Sequence, residues 1–131
     1  MRITRAGEYG LRAARYLGSN GNSKWHSINE ISENQNVPLH FLSKVMQKLV
    51  KSGIVHSSSG KHGGYKLSKT PEEVTLKDII ISVEGDLTLN LCILSPEACV
   101  FLPDCKMHKI WEKVQSDFLI ILGEYTLRDI I

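Results

Sequence analysis

No stretch of this 131-residue chain approaches the roughly 20 consecutive apolar residues that cross a bilayer. Its first residues, Met1-Arg2-Ile3-Thr4-Arg5, pass straight into an amphipathic pattern containing Glu8, unlike a secretory leader. A cytoplasmic protein with no membrane partner is therefore expected. Cysteine is scarce: there are three, and an odd number in a reducing compartment argues against a disulfide framework. No Cys-x2-Cys knuckle is present, nor a phosphate-binding glycine loop, a dinucleotide fingerprint or a Ser/His/Asp set, and the carboxylates are dispersed. These absences speak against an enzyme. Internal repeats and low-complexity tracts are missing too. The hydrophobic content of 42% supports a core, so the chain reads as one small domain, or as a compact domain with a dimerising arm.

What cysteine there is lies together, as Cys92-x6-Cys99-x5-Cys105 with His108 three residues on. The stretch between them holds Pro96 and Pro103 and shows neither helical nor strand period. Three soft ligands and an imidazole on one loop are able to close around a metal centre. Charge is divided as well. Residues 1–69 carry eleven Lys/Arg against three Glu, a balance of +8, whereas residues 70–131 carry five against eleven Asp/Glu, a balance of −6. A basic first part of this kind suits a polyanionic partner.

Thr4 is placed to cap a helix to about Leu17, ended by the turn residues Gly18 to Asn22. Lys24 to Ile28 fits a short strand. Ser27-x-x-Glu30 reads as a capping box for a short helix to about Glu33, followed by a turn over Asn34 to Val37. Pro38 then opens a helix to Ser52, with Phe41, Leu42, Val45, Met46, Leu49 and Val50 on its apolar face. Two β runs, 54–58 and 64–67, flank a hairpin tip rich in glycine and positive charge. Thr75 caps a further helix to about Val83, closed by Gly85. A loop over about 90–105 and a last helix over about 106–123 complete the chain.

Short helix, turn, second helix and glycine-tipped hairpin is the order of a winged helix-turn-helix. The expected fold is mostly α with a small β-wing, and the DNA-binding domain spans 1–85 with its wing at about 54–68. Residues 86–131 hold the cysteine loop and the long C-terminal helix. Double-stranded DNA is the expected partner. His40, Ser43, Lys44 and Gln47 lie where base edges are reached in the major groove. Lys48, Lys51, Lys61, His62 and Lys66 suit phosphates, which supply affinity and register rather than specificity.

The chain resembles the winged-helix iron–sulfur regulators that include IscR, NsrR and RirA, the Rrf-two family. The matching residues are Met1 to Thr4, Glu8 to Ala13, Val37-Pro38-x-x-Phe41-Leu42, Lys51 to Val55, Gly60-x-x-Gly63-Gly64-Tyr65-x-Leu67, Val74-Thr75-Leu76-x-Asp78-Ile79-Ile80, the three cysteines and Trp111. The likeness covers nearly the whole chain. It implies a homodimeric transcription factor, with repression the commoner mode, that binds a palindromic operator and whose iron–sulfur cluster state changes its DNA affinity. The last helix, with Met107, Ile110, Trp111, Val114, Phe118 and Ile121 along one stripe, would be the dimer arm, although a stripe of that kind also suits packing within one subunit. Two departures stand out. The gap of six residues between Cys92 and Cys99 is one longer than is common, and Ser59 stands where relatives often carry a wing arginine, so minor-groove reading is weaker or passes to Lys61.

The resemblance implies Cys92, Cys99 and Cys105 as cluster ligands. The fourth position falls to His108, as in IscR-like members and fitting a 2Fe–2S centre, or to Glu8 of the partner subunit, as in NsrR-like members and fitting a 4Fe–4S centre. Glu8 also lies four residues before Arg12, where a surface ion pair accounts for it, and His108 is equally suited to solvate a helix start. Three thiolates and an imidazole would serve a structural zinc as well. His26, His40, His56 and His62 are scattered and read as none of these ligands. Two alternatives to the cluster-sensing regulator remain: a metal-free thiol switch that binds DNA, and a small iron–sulfur electron carrier.

Overall fold

The computed structural model describes residues 2–21 and 24–131. Met1 and Asn22, the latter at the end of the expected first turn, lie outside the described residues. Helix α1 (Arg5–Ser19) is capped by Thr4, whose hydroxyl accepts from the Gly7 amide at 3.4 Å, and it buries Tyr9, Ala13, Ala14 and Leu17. Helix α2 (Ile28–Gln35) runs two residues past its expected end, because Asn36 adopts the left-handed conformation (φ 51°) that closes a helix. Helix α3 (Leu39–Lys51) follows Pro38 and buries Leu42, Val45, Met46 and Leu49. Phe41, expected on that apolar face, is instead 48% exposed.

Strands β1 (Val55–Ser58) and β2 (Gly64–Leu67) form the antiparallel hairpin, in register Val55 with Leu67 and His56 with Lys66. The strand expected over 24–28 reduces to a single bridge between His26 and Tyr65, with both backbone hydrogen bonds at 2.8 Å. Its neighbour Ile28 is already committed to α2. Gly64 makes the close approach possible: with φ at +144°, any Cβ there would meet the His26 carbonyl. Helix α4 (Leu76–Glu84) is started by a complete capping box, Thr75 with Asp78, and stopped by Gly85. It packs across α1 and α3, and Ile79 and Val83 join the common core.

The cysteine segment is not an unstructured loop. It holds one helical turn, α5 (Leu91–Leu94), and two 3-10 turns, Pro96–Ala98 and Leu102–Asp104. The two prolines that destroyed the periodicity sit within the first two positions of those turns, where their fixed φ starts a helical turn rather than breaking one. Helix α6 (Lys106–Glu124) follows. A last 3-10 turn, Leu127–Ile130, went unread in the sequence; it is capped by Thr126 with Asp129 and carries fully buried Leu127 into the core built by residues 9–83.

Candidate nucleic-acid interface and metal centre

On α3, His40, Lys44, Gln47 and Lys51 are exposed and Ser43 is half-buried, so one helix face presents them together. At the hairpin tip Ser59, Lys61 and His62 are exposed as well. Two of the lysines expected at phosphates have partners inside the chain. The ammonium of Lys66 lies 4.6 Å from the centre of the Trp25 ring, a cation–π contact. Lys48 Nζ donates to the Val83 carbonyl at 2.8 Å, at the end of α4.

A partly buried polar network joins α1 and α2 at His26, the residue whose backbone bridges to the hairpin. His26 is buried; its Nδ1 donates to Glu30 at 2.7 Å, and the Tyr16 hydroxyl donates to the same carboxylate oxygen at 2.8 Å. Ser27 caps α2 as expected, with 3.1 Å to the Glu30 amide. The reciprocal half of that capping box does not form, because the Glu30 carboxylate is turned to His26 and Tyr16. Those contacts, the His26 hydrogen bond first, hold the Glu30 carboxyl below its usual range. Burial, and then the Glu30 carboxylate beside it, push the Tyr16 hydroxyl up. Trp25 and this triad were missed in the sequence. The available signals were a large aromatic next to the capping serine and the i, i+4 spacing of His26 and Glu30.

Cys92, Cys99 and Cys105 are free and each half-buried. Among the described residues, no three His, Cys, Asp or Glu side chains come together as a metal-holding group. His108 Nε2 lies 3.2 Å from Glu112, while its buried Nδ1 has no hydrogen-bond partner. His108 and Cys105 share the lining of one shallow pocket with Leu102 and Pro103. Glu8 is paired with Arg12, whose Nη1 also reaches the Gln35 carbonyl at 3.5 Å. The donor chemistry therefore suits a soft metal centre: three thiols on a segment of single turns, and an imidazole with an unsatisfied ring nitrogen. Their assembly into one site is not part of this structure.

Along α6, Met107, Ile110, Trp111, Val114 and Ile121 are exposed and Phe118 is half-buried. Gln115, the buried polar residue of that helix, clasps the connector before the cysteines: its Nε2 donates to the Leu87 carbonyl and its Oε1 accepts from the Leu89 amide at 2.9 Å. A polar residue in step with Trp111 and Phe118 was the sequence signal for that clasp.

The model of the Rrf2 family, described as iron-dependent transcriptional regulator, matches residues 3–131. The HTH-type transcriptional regulator NsrR of Bacillus licheniformis is 30% identical, over all of this chain and 92% of its own length. Among solved structures, CymR of B. subtilis, the global cysteine regulator, superposes with a TM-score of 0.79 at 26% identity, covering 99% of this chain and 95% of that one. IscR of T. potens does so with 0.75 at 27% identity, covering 99% and 85%. No helix among the described residues is long and apolar enough to cross a membrane.

Proposed function

The chain belongs to the Rrf2 family of iron-dependent transcriptional regulators, and from that premise we propose that it is a homodimeric, cytoplasmic DNA-binding repressor governed by an iron–sulfur centre. The observation that carries the DNA-binding reading is the joint presentation of His40, Lys44, Gln47 and Lys51 on one face of α3, beside a basic glycine-tipped hairpin. Gln47 and His40 read base edges, Ser43 supports them, and Lys44 serves a guanine or a phosphate. Lys51, Lys61 and His62 hold phosphates, and Ser59 lies against the backbone at the tip. Two copies, joined through Met107, Ile110, Trp111, Val114, Phe118 and Ile121, match a palindromic operator whose half-sites lie about one helical turn apart.

Cys92, Cys99 and Cys105 hold the cluster, with His108 or the Glu8 carboxylate of a second copy in the fourth position. Such a centre, when bound, supplies a redox- and iron-sensitive crosslink of the 86–105 segment. The three thiols are half-buried, and the Gln115 clasp fixes where the connector ahead of them docks on α6. DNA affinity is thereby linked to the state of that segment. Protein purified without oxygen is expected to be brown, with matched iron and sulfide, and Cys99→Ala to lose both. Equal operator affinity with and without the metal would end the sensing reading.

A second reading rests on the three free, unassembled thiols and on the likeness to a global cysteine regulator: a metal-free thiol switch. Colourless, metal-free protein that binds DNA, and whose binding changes with thiol oxidation, would establish it. Steep salt dependence of DNA binding separates both readings from an electron carrier.

A further inference from the structure

Lys48 is the one recognition-helix lysine with a partner among the described residues, and its direction differs from the others. At about 100° per residue, His40, Ser43, Lys44, Gln47 and Lys51 fall in an arc of roughly 100°, and Lys48 lies roughly 40° outside it. It leans towards α4, where its ammonium donates to the Val83 carbonyl at 2.8 Å. Val83 is in the last turn of α4, whose carbonyls have no partner within the helix and form the negative end of its dipole. The same turn is held from the other side. Glu84 accepts from the Thr4 amide at 2.6 Å and from its hydroxyl at 2.8 Å, fastening the start of α1. Gly85 then leads to Leu87 and Leu89, which Gln115 clasps to α6.

Resting on the DNA-binding reading above, we propose that Lys48 is a positioning residue and not a phosphate ligand: by tying α3 to the end of α4 it fixes the roll of the recognition helix, and so the register of His40, Lys44 and Gln47 on the bases. A phosphate contact and a strut make opposite predictions. Losing a phosphate contact weakens all DNA alike and flattens the salt dependence. Losing the strut leaves the phosphate contacts in place and costs discrimination.

The probes are a duplex selected by the wild-type chain from a random pool and a scrambled duplex of the same length. Lys48→Met keeps the stem and removes the ammonium. It is expected to lose about tenfold in preference for the selected duplex, on the scale of one hydrogen bond to a charged group. Its affinity for scrambled DNA and its salt slope stay at the wild-type values, and Lys48→Arg, which keeps a donor, recovers most of the preference. A slope lower by about one per lysine, with equal losses on both duplexes, overturns the proposal in favour of a phosphate contact. An unchanged preference beside a lowered unfolding midpoint overturns it in favour of a helix cap alone. Lys48→Gln, polar but too short to span the gap, gives the same reading should the methionine variant not fold. A wild-type chain that enriches no duplex ends the DNA-binding reading and this one together, and is recognised before any substitution is made.

Discussion

The two parts of this chain bury their apolar residues to very different extents. Up to Gly85, helix and hairpin faces close on one another, and among the described residues the exposed large apolar side chains there are Ile3, Leu39 and Phe41. After Gly85 the balance inverts. Leu87 and Leu127 are the buried hydrophobics, while Leu91, Leu94, Val100, Phe101, Met107, Ile110, Trp111, Val114, Ile120 and Ile121 stand exposed, Val100 at 84% and Phe101 at 76%. The first part closes its core mostly with its own residues, taking Leu127 and Ile130 from the end of the chain. The second leaves most of its large apolar side chains in water, and an exposed apolar surface of this extent suits covering by a partner. Charge divides earlier, at residue 70, basic before it and acidic after it.

That contrast is open to direct attack. The largest effect belongs to the closed core: Leu42→Ala is expected to cost about 3 kcal/mol in urea unfolding, whereas Val100→Ala and Phe101→Ala stay within about 0.5 kcal/mol in the isolated chain. Comparable losses in all three would show that the two parts are equally packed. Next comes Trp111→Glu, which places a charge on the α6 stripe. Light scattering should report a monomer, and operator affinity should fall about a hundredfold through loss of the second half-site. A dimer that persists with full affinity would remove α6 from the interface.

Smaller again is Lys44→Ala on the exposed face of α3. Operator affinity should drop about tenfold, with a salt slope lower by about one per lysine if Lys44 holds a phosphate and an unchanged slope with altered base preference if it reads guanine. The smallest effect concerns the Glu30 network. Its carboxyl titrates below the usual value in the folded chain, so its contribution is present above the unfolded pKa of about 4.3 and disappears as pH falls through the lower folded value. Glu30→Gln should therefore cost about 1 kcal/mol or less at pH 7, and acid titration of stability should bring the variant and the wild type together. A difference that stays constant down to pH 2 would mean that the carboxylate charge contributes nothing.

Much of this was legible beforehand where the signal is local. Thr4, Ser27 and Thr75 each cap the helix that follows, and the hairpin strands fall within a residue of their expected ends. Capping and period-two alternation depend on neighbours a few residues away. The cysteine segment defeated periodicity because single turns are shorter than any repeat that could reveal them. Leu127 was invisible for a different reason: nothing in the tail sets it apart from Ile130 and Ile131 as the residue to be buried, and its burial depends on a bridge between Thr126 and Thr75, about 50 positions away. Phe41 matched the helical period and is still exposed, since period selects a face and only packing decides how wide the buried part of that face is.

By itself the sequence determined the winged helix-turn-helix order, the separation of charge and the clustering of three thiols with an imidazole, all of which follow from residue type and spacing. Only the tertiary structure decided which polar groups are already engaged. Glu30 left its helix cap for His26 and Tyr16, Lys66 settled over Trp25, and Lys48 turned to the carbonyl of Val83. A charged side chain takes whichever partner the fold brings within reach of a hydrogen bond or a ring face, and for these residues that partner comes from elsewhere in the fold as much as from the local pattern.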